Sequence, residues 1–190
     1  KLRGVMIGND ILANNPLWIV DVGASGGMDP IWARFTSSYK GILFEPDLRE
    51  YSRLKKASPE NLIVLNAALS DNPKKNDFHL CKKQGVSSLY FPNYKFLDKF
   101  PDSERFEIEK TVRLETDTLF NQLSNKNIES IDFIKLDVQG HELPILKGAG
   151  CYLNEAVGLE IEVEFEKMYV DQPLFNEVDA FVKDNGFELF

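Results

Sequence analysis

Two cysteines and two histidines are all the soft metal ligands that these 190 residues carry. Cys81 and Cys151 lie far apart and match no metal-ligand spacing, and His79 and His141 are too few for a histidine-rich centre. No metal site is expected. Thiols this sparse read as reduced in a cytosol-like compartment, hence a cytoplasmic placement, with a single disulfide as the alternative. No apolar run approaches the roughly 20 residues that span a bilayer, and no signal peptide is visible. Positive charge is also short: 22 Lys and Arg face 30 Asp and Glu, a net charge of −8. That balance disfavours a binder of nucleic-acid backbones. The nearest thing to a basic patch, Arg53, Lys55 and Lys56, reads as the solvated face of a helix. Internal repeats and low-complexity tracts are missing too. The chain opens at Lys1 rather than methionine and stops at "GFELF", a strand-like beginning, so both ends read as trimmed. Nothing in the sequence fixes the oligomeric state.

What is present is a hydrophobic fraction of 43%, enough at this length for one domain with a substantial core. Short β-like runs alternate with amphipathic segments. "LWIVDVG" (17–23) predicts a first strand, and Asp29 and Pro30 then offer an N-cap and first helical residue ahead of Ile31, Trp32 and Phe35. "GILFEP" (41–46) predicts the second strand. Asp47 and Glu50 stand at capping-box spacing and open a helix through Leu48, Tyr51 and Leu54. "NLIVLNAAL" (61–69), "DFHLC" (77–81), "TVRLE" (111–115), "IDFIKLDV" (131–138) and "VGLEIEVEF" (157–165) read as further strands. Helices are expected around Leu119–Leu123, at 142–147 and through Leu174, Phe175, Val178, Phe181 and Val182. The alternation predicts a doubly wound α/β fold of Rossmann-like type, a mostly parallel sheet with helices on both faces. One domain covers 1–190, with 1–16 as a helical extension.

In such sheets ligands bind beyond the carboxyl ends of the strands, where strand order reverses. After the first strand comes "DVGASGG" (21–27), whose glycines allow a tight turn and close approach of a ligand. A mere turn would look similar, but Glu45 closes the second strand about 20 residues further on. At that distance an acidic side chain accepts from ribose hydroxyls. The loop lacks GxxxxGK[ST] and departs from GxGxxG, and Asp29 caps the following helix where a diphosphate would want positive potential. With Asp21 and Glu45 nearby, the crevice suits a cationic nucleoside, and S-adenosylmethionine fits on charge.

The stretch "FIKLDVQGHELPILKGAG" (133–150) poses the sharpest question, because an apolar strand ends in Asp137 and then gives Gln139, His141 and Glu142. Asp137 either caps the following helix or joins Gln139, His141 and Glu142 around a reaction centre. His141 has the best ordinary pKa for a general base, and Asp137 competes for that role. Glu142 has the alternative of satisfying helix N-terminal amides. Glu160, Glu162 and Glu164 alternate along the next strand and so share a face, the last two able to bind acceptor hydroxyls or simply to meet solvent. Tyr90, Phe91, Tyr94 and Phe96 form either a stacking lid for a sugar or ordinary packing.

Taken in order, "IVDVGASGG", "GILFEPD", "NAALSD", "SSLY" and "FIKLDVQGHELPILKGAG" resemble the FkbM-type family of S-adenosylmethionine-dependent methyltransferases from about residue 18 to 165. The last motif is the most family-specific. The resemblance implies methyl transfer to oxygen, commonly on a sugar, glycan or natural product, and a final antiparallel hairpin whose last strand starts near Phe187. It also places Asp21, Gly23, Ala24 and Ser25 on the methionine side of the cofactor, Glu45 on the ribose and Asn66 and Ala67 beside adenine. Asp137 would stand near the transferring methyl, with Gln139, Glu142, Glu162 and Ser88 on the acceptor side. Position 139 is glutamine where many members have glutamate, which removes a negative charge from the centre. Two other functions remain open: a nucleoside-binding module without catalysis, and an NAD-dependent oxidoreductase.

Overall fold

The computed structural model describes residue 12, residues 15–35 and residues 38–190. The expected helical extension at 1–16 falls largely outside them. Five parallel strands form the main sheet: β1 (Leu17–Val22), β2 (Tyr39–Phe44), β3 (Leu62–Leu65), β7 (Phe133–Leu136) and β8 (Gly158–Ile161), in the order β3-β2-β1-β7-β8. The order runs outward from β1 in both directions, so the switch point lies between β1 and β7. Their near-continuous apolar runs follow from burial on both faces: Ile19, Val20, Ile42, Phe44 and Ile134 are almost wholly inaccessible.

Helix α1 (Leu48–Ala57) follows β2, α2 (Leu119–Ser124) precedes β7, and α3 (Glu142–Lys147) and α4 (Cys151–Glu155) lie between β7 and β8. Helix α5 (Phe175–Asp184) closes the described chain, with Val178 buried and Phe181 and Val182 packed on the same core. The segment opened by Pro30 is a 3-10 helix, Pro30–Phe35, and Asp29 caps it by accepting from the Ile31 amide at 2.8 Å. Trp32 of that segment packs edge-on against Phe133, whereas Ile31 stays half exposed.

Three expectations from sequence are corrected. The run 61–69 is two strands, β3 and β4 (Ala68–Leu69), broken at Asn66 because the Asn66 amide donates to the carbonyls of Glu45 and Pro46. Strand β4 then joins β5 (Lys74–Cys81) and β6 (Ile108–Asp117) in a second sheet of order β4-β6-β5. The run 157–165 pairs only as far as Ile161, since its neighbour β7 ends at Leu136 and the Glu162 amide makes the last bond to that residue's carbonyl. Glu162 and Glu164 therefore lie beyond the strand. The capping box at Asp47 and Glu50 is also rearranged. Asp47 does cap α1, accepting from Arg49 N, but it is Glu45 Oε1 that accepts from the Asp47 amide, at 2.8 Å. Residues 187–190 pair with no strand, and β8 is the edge of the described sheet.

Candidate active site

Strands β1 and β7 bring their carboxyl ends together through one bond, Asp137 N to Val22 O at 3.0 Å. Beyond them lies a cleft of about 220 Å³. Gly23, Ser25, Glu45, Asp47, Asp137 and Gln139 form its sheet-side wall, and Phe78 of the second sheet, with Gln84 and Ser87 from the turn after that strand, completes the lining. Among the described residues no lysine, arginine or histidine lines it, while three carboxyls do. Gly23 makes the close approach possible. Its φ is +79°, and a Cβ there would lie 1.8 Å from the Asp137 carbonyl oxygen.

Helix α1 holds the glycine-rich loop from the side. Glu50, buried and not engaged in capping, accepts from the Gly26 amide at 2.8 Å and pairs with Arg53 of its own helix. Truncating it hands the amide of this exposed glycine to water and removes a hydrogen bond to a charged group, a loss of about 1.5–3 kcal/mol. Glu50→Ala is therefore expected to speed amide exchange at Gly26 about tenfold or more, read by NMR; unchanged protection there would contradict the latch.

Burial sets the electrostatics. Glu45 is pushed up to about 7, mainly by loss of water and then by the Asp47, Glu50 and Asp21 charges, against the pull of the Asp47 amide. Asp21, 1% exposed, is raised to about 6 by the same desolvation, which Lys135 at 3.4 Å only partly offsets. Asp137 is more open, its side chain 42% exposed, with Lys135 Nζ 3.9 Å from Oδ2. Gln139 Nε2 donates to Asp137 Oδ1 at 3.1 Å and to Glu162 Oε2 at 2.7 Å. Loss of water around the Glu162 carboxyl, and then the Asp137 charge beside it, raise Glu162 well above the carboxylate range. Among the described residues no group of three or more His, Cys, Asp and Glu side chains could hold a metal ion.

A second, apolar pocket of about 30 Å³ adjoins the cleft through Gly23, Pro46, Phe78 and Val138, and Ala67, Leu89 and His141 line its far side. The family model described as "Methyltransferase FkbM domain" matches residues 10–189. The chain belongs to the FkbM methyltransferase family. It is 24% identical over 164 residues to "2-O-methyltransferase NoeI" of Sinorhizobium fredii (strain NBRC 101917 / NGR234), covering 81% of this chain and 66% of that relative. The chain thus spans just under two thirds of that relative's length. No solved structure matches it.

Within this FkbM domain the expected site residues fall into two groups. Gly23, Ser25, Glu45, Asp137 and Gln139 line the cleft, and Ala67 lines the apolar pocket. Asp21, Ala24, Asn66, Ser88 and Glu142 do not line the cleft. Asp21 and Ala24 are buried under the loop, and the Asn66 amide is spent on the Glu45 and Pro46 carbonyls, fixing the turn that presents Glu45. Ser88 is buried, with its hydroxyl donated to Gln139 O at 2.8 Å. Glu142 is also buried and accepts from the Val138 and Gly140 amides, so it shapes the loop around Gln139.

His141 lines the apolar pocket and not the cleft that holds Asp137. Its Nε2 lies 3.0 Å from Ser70 Oγ, its Nδ1 has no partner, and burial drives its pKa down to about 4. The Tyr90 ring packs on it at 5.0 Å, whereas Phe91 is about half exposed. Several wall residues carried no sequence signal. Gln84 follows no motif, yet it lines the cleft, and its buried Nε2 has no partner among the described residues. Tyr169 reaches Gln139 across 30 positions of sequence. Only the lysine of "FIKLD" could have been suspected, since a charge inside an apolar strand calls for a partner.

Proposed function

We propose that this FkbM domain transfers a methyl group from S-adenosylmethionine to a hydroxyl oxygen, on a sugar, glycan or natural-product acceptor. The observation that carries the reading is the acidic cleft at the switch point, with Glu45 and Asp137 on one wall, an apolar pocket adjoining it and, among the described residues, no cationic side chain in its lining. A dinucleotide would bring a pyrophosphate to that wall with nothing to neutralise it. A sulfonium cation is favoured there, and Pro46, Phe78 and Val138 give the cleft lining apolar surface for a base to contact. The name of the Sinorhizobium relative, a 2-O-methyltransferase, supports oxygen as the acceptor atom.

Bound in the cleft, S-adenosylmethionine supplies a methyl on a cationic sulfur, which the acceptor oxygen takes while the bonding pair stays with sulfur. The residues of the chain do the rest. Glu45 accepts from ribose hydroxyls, Ser25 and Gly23 offer the loop backbone, and Gln84 offers its unpaired amide. Asp137 takes the proton from the acceptor hydroxyl. Burial, a pKa near 4 and a place outside the cleft all favour Asp137 over His141 for this task. Most of the rate comes from alignment of the reacting atoms and from the surrounding charge.

Glu45 makes donor binding pH-dependent. Its carboxyl is neutral below about 7 and a cation favours its ionised form, so binding below that pH must release a proton. Affinity for S-adenosylmethionine is expected to rise with pH up to about 7, by as much as about tenfold per pH unit, and then to level off. Calorimetry in buffers of different ionisation enthalpy reads the released proton directly. Glu45→Gln should abolish the pH dependence, and Glu45→Ala should weaken binding by about 1.5–3 kcal/mol per charged hydrogen bond lost. The acceptor class is tested with a methyl-labelled donor and a panel of methyl glycosides, oligosaccharides and phenols. Label fixed in an ether on a sugar supports the reading, and label fixed only on nitrogen or sulfur nucleophiles overturns it.

A further inference from the structure

We propose that Gln139 is a positioning residue that joins Asp137 and Glu162 into a single proton-accepting unit. The inference rests on the methyl-transfer reading above and assigns the work of its base to two carboxyls. Both hydrogens of the Gln139 amide are committed, one to Asp137 Oδ1 at 3.1 Å and one to Glu162 Oε2 at 2.7 Å. The amide cannot turn over without loss, because flipping it would set its oxygen against the two carboxyls that its hydrogens now meet. On its other side Gln139 Oε1 lies 3.0 Å from the wholly buried Tyr169 hydroxyl, whose one hydrogen is shared between it and Val86 O.

The backbone is built for the same end. Gln139 has φ +58°, in the left-handed region that a residue with a side chain enters only when its surroundings hold it there. They do so from both sides. Glu142 Oε1 accepts from the amides of Val138 and Gly140, which flank it, and Ser88 Oγ donates to its carbonyl. Gly140 follows at φ +100°, and a Cβ there would press on the Gln172 side chain at 3.0 Å. Three buried polar side chains (Glu142, Ser88 and Tyr169) thus fix one glutamine, whose two donors face the two carboxyls at the edge of the cleft. Strain held this tightly at a cleft wall marks a functional position.

The charges around the pair decide what the donors achieve. Lys135 on β7 lies 3.9 Å from Asp137 and 3.4 Å from Asp21 on β1, while Asp137, Glu164 after β8 and Glu142 on α3 all oppose ionisation of Glu162, and Tyr169 adds no charge at neutral pH. One amide nitrogen joins the two groups, so the charge on one bears on the proton held by the other. The fully ionised pair is the stronger base, and it is reached only above the upper of the two steps. Donors on the ionised form bring that step down, so Gln139 makes the base available nearer neutral pH.

The test is carboxyl ¹³C NMR of the whole chain, following Asp137 and Glu162 through titration. In the native sequence Glu162 titrates in a step above the usual carboxylate range, and the Asp137 signal is expected to report that step through the shared amide. Gln139→Met is expected to raise that step by about one pH unit, and Gln139→Glu, which adds a charge, to raise it further. Tyr169→Phe leaves Gln139 in place but frees its amide, and should shift the step the same way by less; it carries the test if the Gln139 variants fail to fold. With an acceptor in hand, the acidic limb of kcat should move with the NMR step. Independent titration of the two carboxyls near their ordinary values, or a step unmoved in the folded variants, overturns the proposal. Failure of the native chain to bind S-adenosylmethionine would instead overturn the methyl-transfer reading, while the NMR result would still decide the pair.

Discussion

Gly23→Ala is expected to destabilise the fold by about 2–5 kcal/mol and to distort the cleft at the same time. A residue with a side chain costs roughly 1–2 kcal/mol in the left-handed region, and Gly23 holds φ +79°. Overpacking adds about 1–3 kcal/mol, because the new methyl would lie 1.8 Å from the Asp137 carbonyl oxygen. Neither β1 nor β7 can yield locally: the Gly23 amide is bonded to Phe44 O and the Asp137 amide to Val22 O. Relief must come from parting the strands at the switch point, where Asp137 and Glu45 are presented. Urea unfolding measures the first effect. A variant within about 0.5 kcal/mol of the native chain would mean that the close crossing at Gly23 is wrongly described.

Asp137→Asn is expected to do the opposite, leaving the fold and removing the chemistry. The side chain is 42% exposed, and its contacts are the Gln139 amide and a distant Lys135. An asparagine oxygen can still accept from Gln139, so the unfolding midpoint should barely move. A positioned base contributes typically 10²–10⁴-fold, so kcat is expected to fall by about that factor while donor affinity stays within a few-fold. A normal rate in the variant would move the base elsewhere, and Glu162 would be the first candidate. A loss of donor affinity equal to the loss of rate would make Asp137 a binding residue.

The parts of this account legible in the sequence share one property: each rests on local pattern. Apolar runs bounded by glycine or acid mark β1, β2 and β7, and the topology rule puts Gly23, Glu45 and Asp137 at one end of a sheet. What stayed hidden was decided by partners far away in the chain. The break at Asn66 depends on carbonyls some 20 residues earlier, and the end of β8 depends on where β7 stops. Glu50 at capping-box spacing could not announce that its carboxyl would turn to Gly26 instead. His141 is the clearest case. Its ordinary pKa made it an attractive base, yet the fold buries it against Ser70 and Tyr90, where the charged form is disfavoured. Gln139, conversely, looked like the loss of a charge. In the structure its amide supplies two donors to carboxyls that a glutamate would only repel.

The most direct test of the central claim is calorimetric titration of the chain with S-adenosylmethionine, S-adenosylhomocysteine and NAD in parallel. The account predicts micromolar binding of the first two, tighter at pH 7.5 than at pH 6 for the cationic donor, and no heat from NAD. Binding of NAD with silence from the two adenosyl thioether ligands would contradict it, because the wall of Glu45, Asp47 and Asp137 would then be holding a pyrophosphate.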